Sequence, residues 1–184
     1  MELIKQNTQS QIIKSILIIF SGSIILAISA KIKIPFYPVP MTMQTFVVLF
    51  LGMSFGYKIG FATVGLYLIE GILGLPVFSN SPERGVGLVY FTGPTMGYLI
   101  GFLTACYFAS FIKTDDKFII ILVKLFLSVS TIYILGVLWL GVLLGWDKPL
   151  IQLGVTPFIL AETFKIFLLS ILAKKIFKLK SLFR

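Results

Sequence analysis

Between residues 118 and 144 the chain carries one charged side chain, Lys124, in an otherwise apolar run, and further apolar stretches precede and follow it. At about 1.5 Å of rise per residue, roughly 20 such residues cross the hydrocarbon layer of a bilayer. The interruptions by Pro, Gly and charge predict six helices, near residues 12–31, 42–55, 57–75, 92–112, 118–144 and 156–178. The second is short and its join to the third, Gly52 to Tyr57, is tight, so a five-helix count with one long broken hairpin is the alternative. No linker divides the sequence and no internal repeat is found, which predicts a single transmembrane domain over residues 1–184. Composition agrees: 58% of residues are hydrophobic and 12% charged, whereas a soluble domain is about a quarter charged. Too much apolar surface is present for one small core to hide, while lipid covers it readily. The expected fold is an all-α integral membrane protein, a bundle of six transmembrane helices.

The net charge of +9 does not indicate nucleic acid, because the cations punctuate apolar runs instead of gathering on one polar face. They give orientation instead. With both termini cytoplasmic, ten cations fall inside (Lys5, Lys14, Lys58, Lys113, Lys117, Lys174, Lys175, Lys178, Lys180 and Arg184) and four outside (Lys31, Lys33, Arg84 and Lys148). The C-terminal cluster suits the anionic inner leaflet. The polar start, Met1 to Lys14, runs into an apolar stretch without a clear cleavage site, so no signal peptide is expected. Cys106 is the lone cysteine and histidine is absent, which leaves no basis for a disulfide or a metal site. There is no GxxxxGK[ST] phosphate loop, no HExxH motif and no arginine-rich helix. If the chain serves uphill transport, another protein must hydrolyse ATP.

Ionisable residues within the membrane are costly and so mark function. Glu162 and Lys165 share a face of the sixth helix at i, i+3, one to three turns in from the outer surface. They are expected to contact a ligand; the alternative is that they only neutralise each other, although buried pairs seldom add stability over apolar packing. Glu70, near the outer end of the third helix, either joins that site or caps loop amides. Lys124 lies close enough to the cytoplasmic end of its helix to snorkel out. The first outer connection, Ile34 to Thr45, holds Pro35, Pro38 and Pro40, which exclude helix, together with Tyr37, Met41, Met43 and the amide of Gln44. Such a stiff, apolar loop suits the cover of a pocket or, more plainly, an interfacial connector. The second, Gly71 to Tyr98, offers Asn80 as donor and acceptor, Arg84 as a fork for a carboxylate, and Phe78, Tyr90 and Phe91 as apolar walls. On the first helix, Ser23 and Ala27 form a small-xxx-small pair that packs within the bundle or docks a partner subunit.

Several of these segments carry a resemblance. Ile34-Pro35, Pro38-Val39-Pro40-Met41-Thr42-Met43-Gln44-Thr45, Glu70-Gly71-Ile72-Leu73-Gly74-Leu75-Pro76-Val77-Phe78, Gly93-Pro94-Thr95-Met96-Gly97-Tyr98-Leu99-Ile100-Gly101-Phe102 and Pro157-Phe158 with Lys165 resemble, in order and over nearly the whole chain, the BioY family. These are the biotin-specific substrate-binding (S) components of energy-coupling-factor (ECF) transporters. The resemblance implies six helices, an external biotin pocket, a prokaryotic plasma-membrane location and a partner module of one transmembrane coupling subunit and two ATPases. It implies no enzyme activity and no cofactor, biotin being the transported substrate. Two features depart from the family pattern. Glu162 stands where an Asp is usual, which lengthens the reach by one methylene, and the Asn80-to-Arg84 loop lacks a glycine run.

Biotin suits the residues on chemical grounds too. Its ureido N–H groups want an acceptor such as Glu162, its ureido oxygen a donor such as Lys165 or Asn80, its sulfur ring apolar walls, and its valerate carboxylate a cation such as Arg84. The expected substrate-binding set is Glu162, Lys165, Asn80, Arg84, Gln44, Tyr37, Phe78, Tyr90 and Glu70, with Ser23 and Ala27 as the docking pair. The rivals are an S component for another vitamin, an intramembrane enzyme with Glu162 as its acid–base group, and a purely structural membrane subunit.

Overall fold

Helices begin and end where proline, glycine and charge interrupt the apolar runs. A computed structural model of the chain describes residues 2–182. Helix α1 covers Glu2–Lys31, a two-residue strand β1 Lys33–Ile34 pairs antiparallel with β2 Met41–Thr42, and α2 covers Gln44–Ile72. Short α3 (Leu88–Phe91), α4 (Met96–Ala109), α5 (Phe118–Leu144), short α6 (Leu150–Gly154) and α7 (Ile159–Leu182) complete the fold. Among the described residues four helical stretches are long and apolar enough to cross a membrane, Gln9–Lys31, Gln44–Ile72, Phe118–Leu144 and Leu150–Phe177, and Met96–Ala109 is a shorter apolar helix.

Helix α2 is not straight. At Gly56 the backbone takes φ 76 and ψ 179, a region that only glycine occupies without strain. The chain doubles back there: Gly60 packs against Gly52, and at the far end the Gln44 amide nitrogen donates to the Tyr67 hydroxyl at 2.7 Å. The tight join expected between the second and third helices is this turn. Packing centres on α2, whose two arms meet α1, α4 and α7, while α4 lies between α2 and α5. The close approaches need glycine. A Cβ on Gly52 would strike the Cys106 carbonyl of α4, and one on Gly97 would strike the Leu135 carbonyl of α5. In lipid such small-residue contacts replace the hydrophobic drive of water.

Several boundaries differ from expectation. The first helix starts ten residues earlier, at Glu2, because nothing in its polar start breaks a helix. The helix expected over 92–112 is shortened to α4, with the separate α3 ahead of it, since Gly93-Pro94 cannot continue a helix. Residues 150–154 form α6, and a 3-10 turn over Thr156–Phe158 leads into α7. Lys124 does not merely snorkel: its ammonium donates to Asp116 at 2.6 Å and to the Phe111 carbonyl at 3.2 Å, fastening the α4–α5 loop. Of the cations that set the orientation, the side chains of Lys5, Lys178 and Lys180, and Arg184 entirely, lie outside the described residues.

Candidate functional site

At the end of the bundle closed by the proline loop, a cavity of about 500 Å³, its mouth included, opens among α2, α4, α5 and α7. Its apolar walls are Val39, Leu99, Phe102, Ile132 and Phe158, and its polar groups come from Gln44, Thr45, Ser79, Tyr90, Thr95, Tyr98, Tyr133 and Glu162. Each arrives by simple local logic. Gln44 and Thr45 open α2, where the chain leaves the β1–β2 hairpin. Glu162 lies in the first turn of α7, whose dipole favours an anion.

Glu162 and Lys165 are both buried, 5% and 6% exposed. The Lys165 ammonium donates to Glu162 Oε1 at 2.8 Å, to Thr45 Oγ1 at 2.9 Å and to the Thr42 carbonyl at 2.6 Å, which satisfies all three of its protons. The Thr45 hydroxyl donates to the same Glu162 Oε1 at 2.8 Å. Among the described residues Glu162 Oε2 is buried and accepts no well-formed hydrogen bond, although the Tyr133 hydroxyl lies beside the carboxylate. A buried, unpaired carboxylate oxygen is expensive unless a donor reaches it. Mutual neutralisation by the pair thus leaves one of the two Glu162 oxygens over. Lys165 does not line the cavity; it stands behind Glu162 and Thr45, beside a separate groove with Lys33, Met41 and Phe164.

The remaining expected residues divide into cavity walls and scaffold. Gln44 and Tyr90 are walls, each fixed from behind: Gln44 by Tyr67, and Tyr90 by Ser79 Oγ at 3.2 Å. Phe78 is not a wall; it is 1% exposed and stacks on Tyr90 with centroids 4.6 Å apart. Asn80 turns away, its Oδ1 accepting from the Lys33 ammonium at 3.0 Å. Arg84 donates to the Pro38 carbonyl at 2.9 Å and lies over the Tyr37 ring, which is itself 76% exposed. Glu70 Oε1 accepts from Ser23 Oγ at 2.9 Å, outside the cavity. Ser23 is fully buried, so the Ser23–Ala27 face packs α1 onto α2 within the chain and does not offer Ser23 to a partner.

Basic side chains fasten the loops over the cavity. Lys31 donates to the carbonyls of Phe78 and Ser81, both at 2.8 Å, and Lys33 to that of Ser79 at 2.6 Å. With Arg84 on Pro38, they tie the proline loop to the 78–84 segment, and Phe36 sets its ring edge against Phe158 of the cavity wall at 5.9 Å. Sequence reasoning did not single out Thr45, Thr95, Tyr98 or Tyr133. Thr45, Thr95 and Tyr98 lie inside motif segments already noted, whereas Tyr133 sits in an apolar run that gives no sign of it.

Comparison with known proteins bears on this arrangement. The model of the BioY family matches residues 4–181. "Probable biotin transporter BioY" of Pyrococcus horikoshii is 34% identical over 82% of this chain and 88% of its own length. "Biotin transporter BioY" of Thermotoga maritima is 31% identical over 85% and 91%, and "Biotin transporter BioY2" of Lactococcus lactis 32% over 90% of each. A crystal structure at 2.1 Å of the S-component for biotin from an ECF-type ABC transporter superposes with a TM-score of 0.78 at 25% identity, covering 95% of this chain and 98% of that one. A match over nearly the full length, in sequence and in fold, establishes that the chain belongs to the BioY family.

Proposed function

We propose that this chain captures biotin at the outer face of a prokaryotic plasma membrane, as the S component of an ECF importer. Glu162 Oε2 carries the reading: among the described residues it is a buried acceptor with no well-formed hydrogen bond, on the wall of a cavity lined by both apolar and polar side chains. The ureido N–H groups of biotin supply such donors, and Leu99, Phe102 and Phe158 pack the sulfur ring. Lys165 holds the Glu162 carboxylate in place from behind. Gln44, Thr95 and Tyr90 complete the polar lining. Asn80, Arg84 and Tyr37 act at the mouth, through the loops that cover the cavity, Phe78 supports those loops, and Glu70 ties α2 to α1.

With the two arms of α2 as separate passes, six transmembrane segments bring both termini to the cytoplasmic side. One transmembrane coupling subunit and two ATPases then supply the energy that turns the loaded protein over, and no covalent chemistry takes place on this chain. Purified protein tested with biotin, thiamin and riboflavin decides the substrate. Ligand at 100 times its dissociation constant stabilises by about 2.7 kcal/mol, so biotin alone should raise the melting temperature. A shift with thiamin or riboflavin and none with biotin contradicts the proposal.

A further inference from the structure

The turn of α2 at Gly56 borders a second cavity, at the opposite end of the bundle from Glu162. It is an open space of about 1330 Å³ whose walls include Ser15 and Ile19 of α1, Ser54 to Ile59 at the turn, and Ser110 and Phe111 after α4. Ser54 is the informative residue. Other buried helical hydroxyls find acceptors: Ser23, Ser29, Thr63, Ser128 and Ser170 each donate to a carbonyl three or four residues back on their own helix, and Thr45 donates to Glu162. Ser54 Oγ makes no such bond, although Ser54 is fully buried and lines this cavity. A hydroxyl withheld from its own helix and from water is costly unless a ligand accepts its proton.

The surroundings specify that ligand as an anion with apolar chains. Lys58 borders the cavity and is exposed. The helix resumes at Tyr57, so the positive end of its dipole lies here, and the space on the side-chain face of Gly56 is open to close approach. The Phe111 carbonyl, just after α4 in this wall, is already engaged by Lys124. Ile19 and Phe111 continue the wall into the lipid-facing surface, where Ile16 and Phe20 of α1 are about half exposed. We propose that this cavity binds an anionic phospholipid, its phosphodiester on Ser54 and Lys58 and its acyl chains along α1 and Phe111. On the orientation proposed above this is the inner leaflet, where such lipids are concentrated.

The test is lipid retention by the purified full chain in detergent, measured by native mass spectrometry with phosphatidylglycerol, phosphatidylcholine or inorganic phosphate. Wild type should retain phosphatidylglycerol in preference to phosphatidylcholine and ignore phosphate. Lys58→Gln should weaken retention about fivefold, Ser54→Ala by a similar or larger factor, and Lys117→Gln not at all. Thermal unfolding gives an independent sign. In phosphatidylcholine alone Ser54→Ala, freed of its unpaired hydroxyl, should melt at or above wild type, and phosphatidylglycerol should reverse that order. Equal retention by wild type and both site variants, or equal retention of the two lipids, overturns the proposal. Displacement of the lipid by millimolar phosphate makes this a soluble-anion site instead. If the variants retain lipid normally but impair biotin uptake only when the energising subunits are present, the cavity receives a protein segment and the lipid proposal fails.

Discussion

Glu162, Lys165 and Thr45 form a closed hydrogen-bonded triangle from which one carboxylate oxygen is left over. Removing one member of a buried ion pair strands the other, at a cost of about 3–5 kcal/mol. Lys165→Ala is therefore expected to lower stability by that order, seen as a loss of melting temperature in detergent. The Glu162→Leu, Lys165→Met double variant should recover most of that stability while losing ligand binding. A double variant that still binds would show that the pair serves only the fold. Two charges in an apolar run made Glu162 and Lys165 legible in the sequence. The shared acceptor was not, because Thr45 is 117 positions away from Glu162 and only the folded chain joins them. Arg84 was legible only as a charge; that its guanidinium also clasps the proline loop through the Pro38 carbonyl needed the folded chain.

Between elements, close glycine contacts set the shape of the cavity. A Cβ on Gly101 would lie 2.6 Å from Ile132 Cα, so Gly101→Ala must push α4 from α5. Overpacking of this kind costs about 1–3 kcal/mol. Since Leu99, Phe102 and Ile132 are cavity walls, the variant is expected both to melt earlier and to bind ligand more weakly. The loop clasp makes its own prediction. Lys33→Ala removes bonds to Ser79 and Asn80, so amide hydrogen exchange over residues 78–84 should rise while that of α5 stays unchanged. Uniform exchange across both segments would deny the clasp a local role. The turn at Gly56 was visible as glycine amid two apolar runs, and Pro94 marked a break that a continuous helix over 92–112 overlooked. The β1–β2 pairing and α6 were hidden, since two-residue strands and a five-residue helix carry too little periodicity to be seen.

For the whole molecule, the site and the Gly56 turn lie at opposite ends. The cavity opens at the end that holds Lys31, Lys33 and Arg84, and the Gly56 turn with Lys58 lies at the other. Cys106 is fully buried, so the wild-type chain offers a quiet background for thiol labelling. In intact cells a membrane-impermeant maleimide is expected to label Lys148→Cys and to spare Lys113→Cys; the reverse pattern would invert the proposed orientation. Composition alone revealed a membrane protein, whereas the cavity needed four segments of the chain brought to one place. If biotin completes the hydrogen bonding of Glu162, calorimetric titration with biotin should give saturable binding by purified wild type and affinity weakened at least about tenfold in Glu162→Gln, as for a lost hydrogen bond to a charged acceptor. No heat of binding at micromolar biotin, or equal affinity in the two proteins, would contradict it.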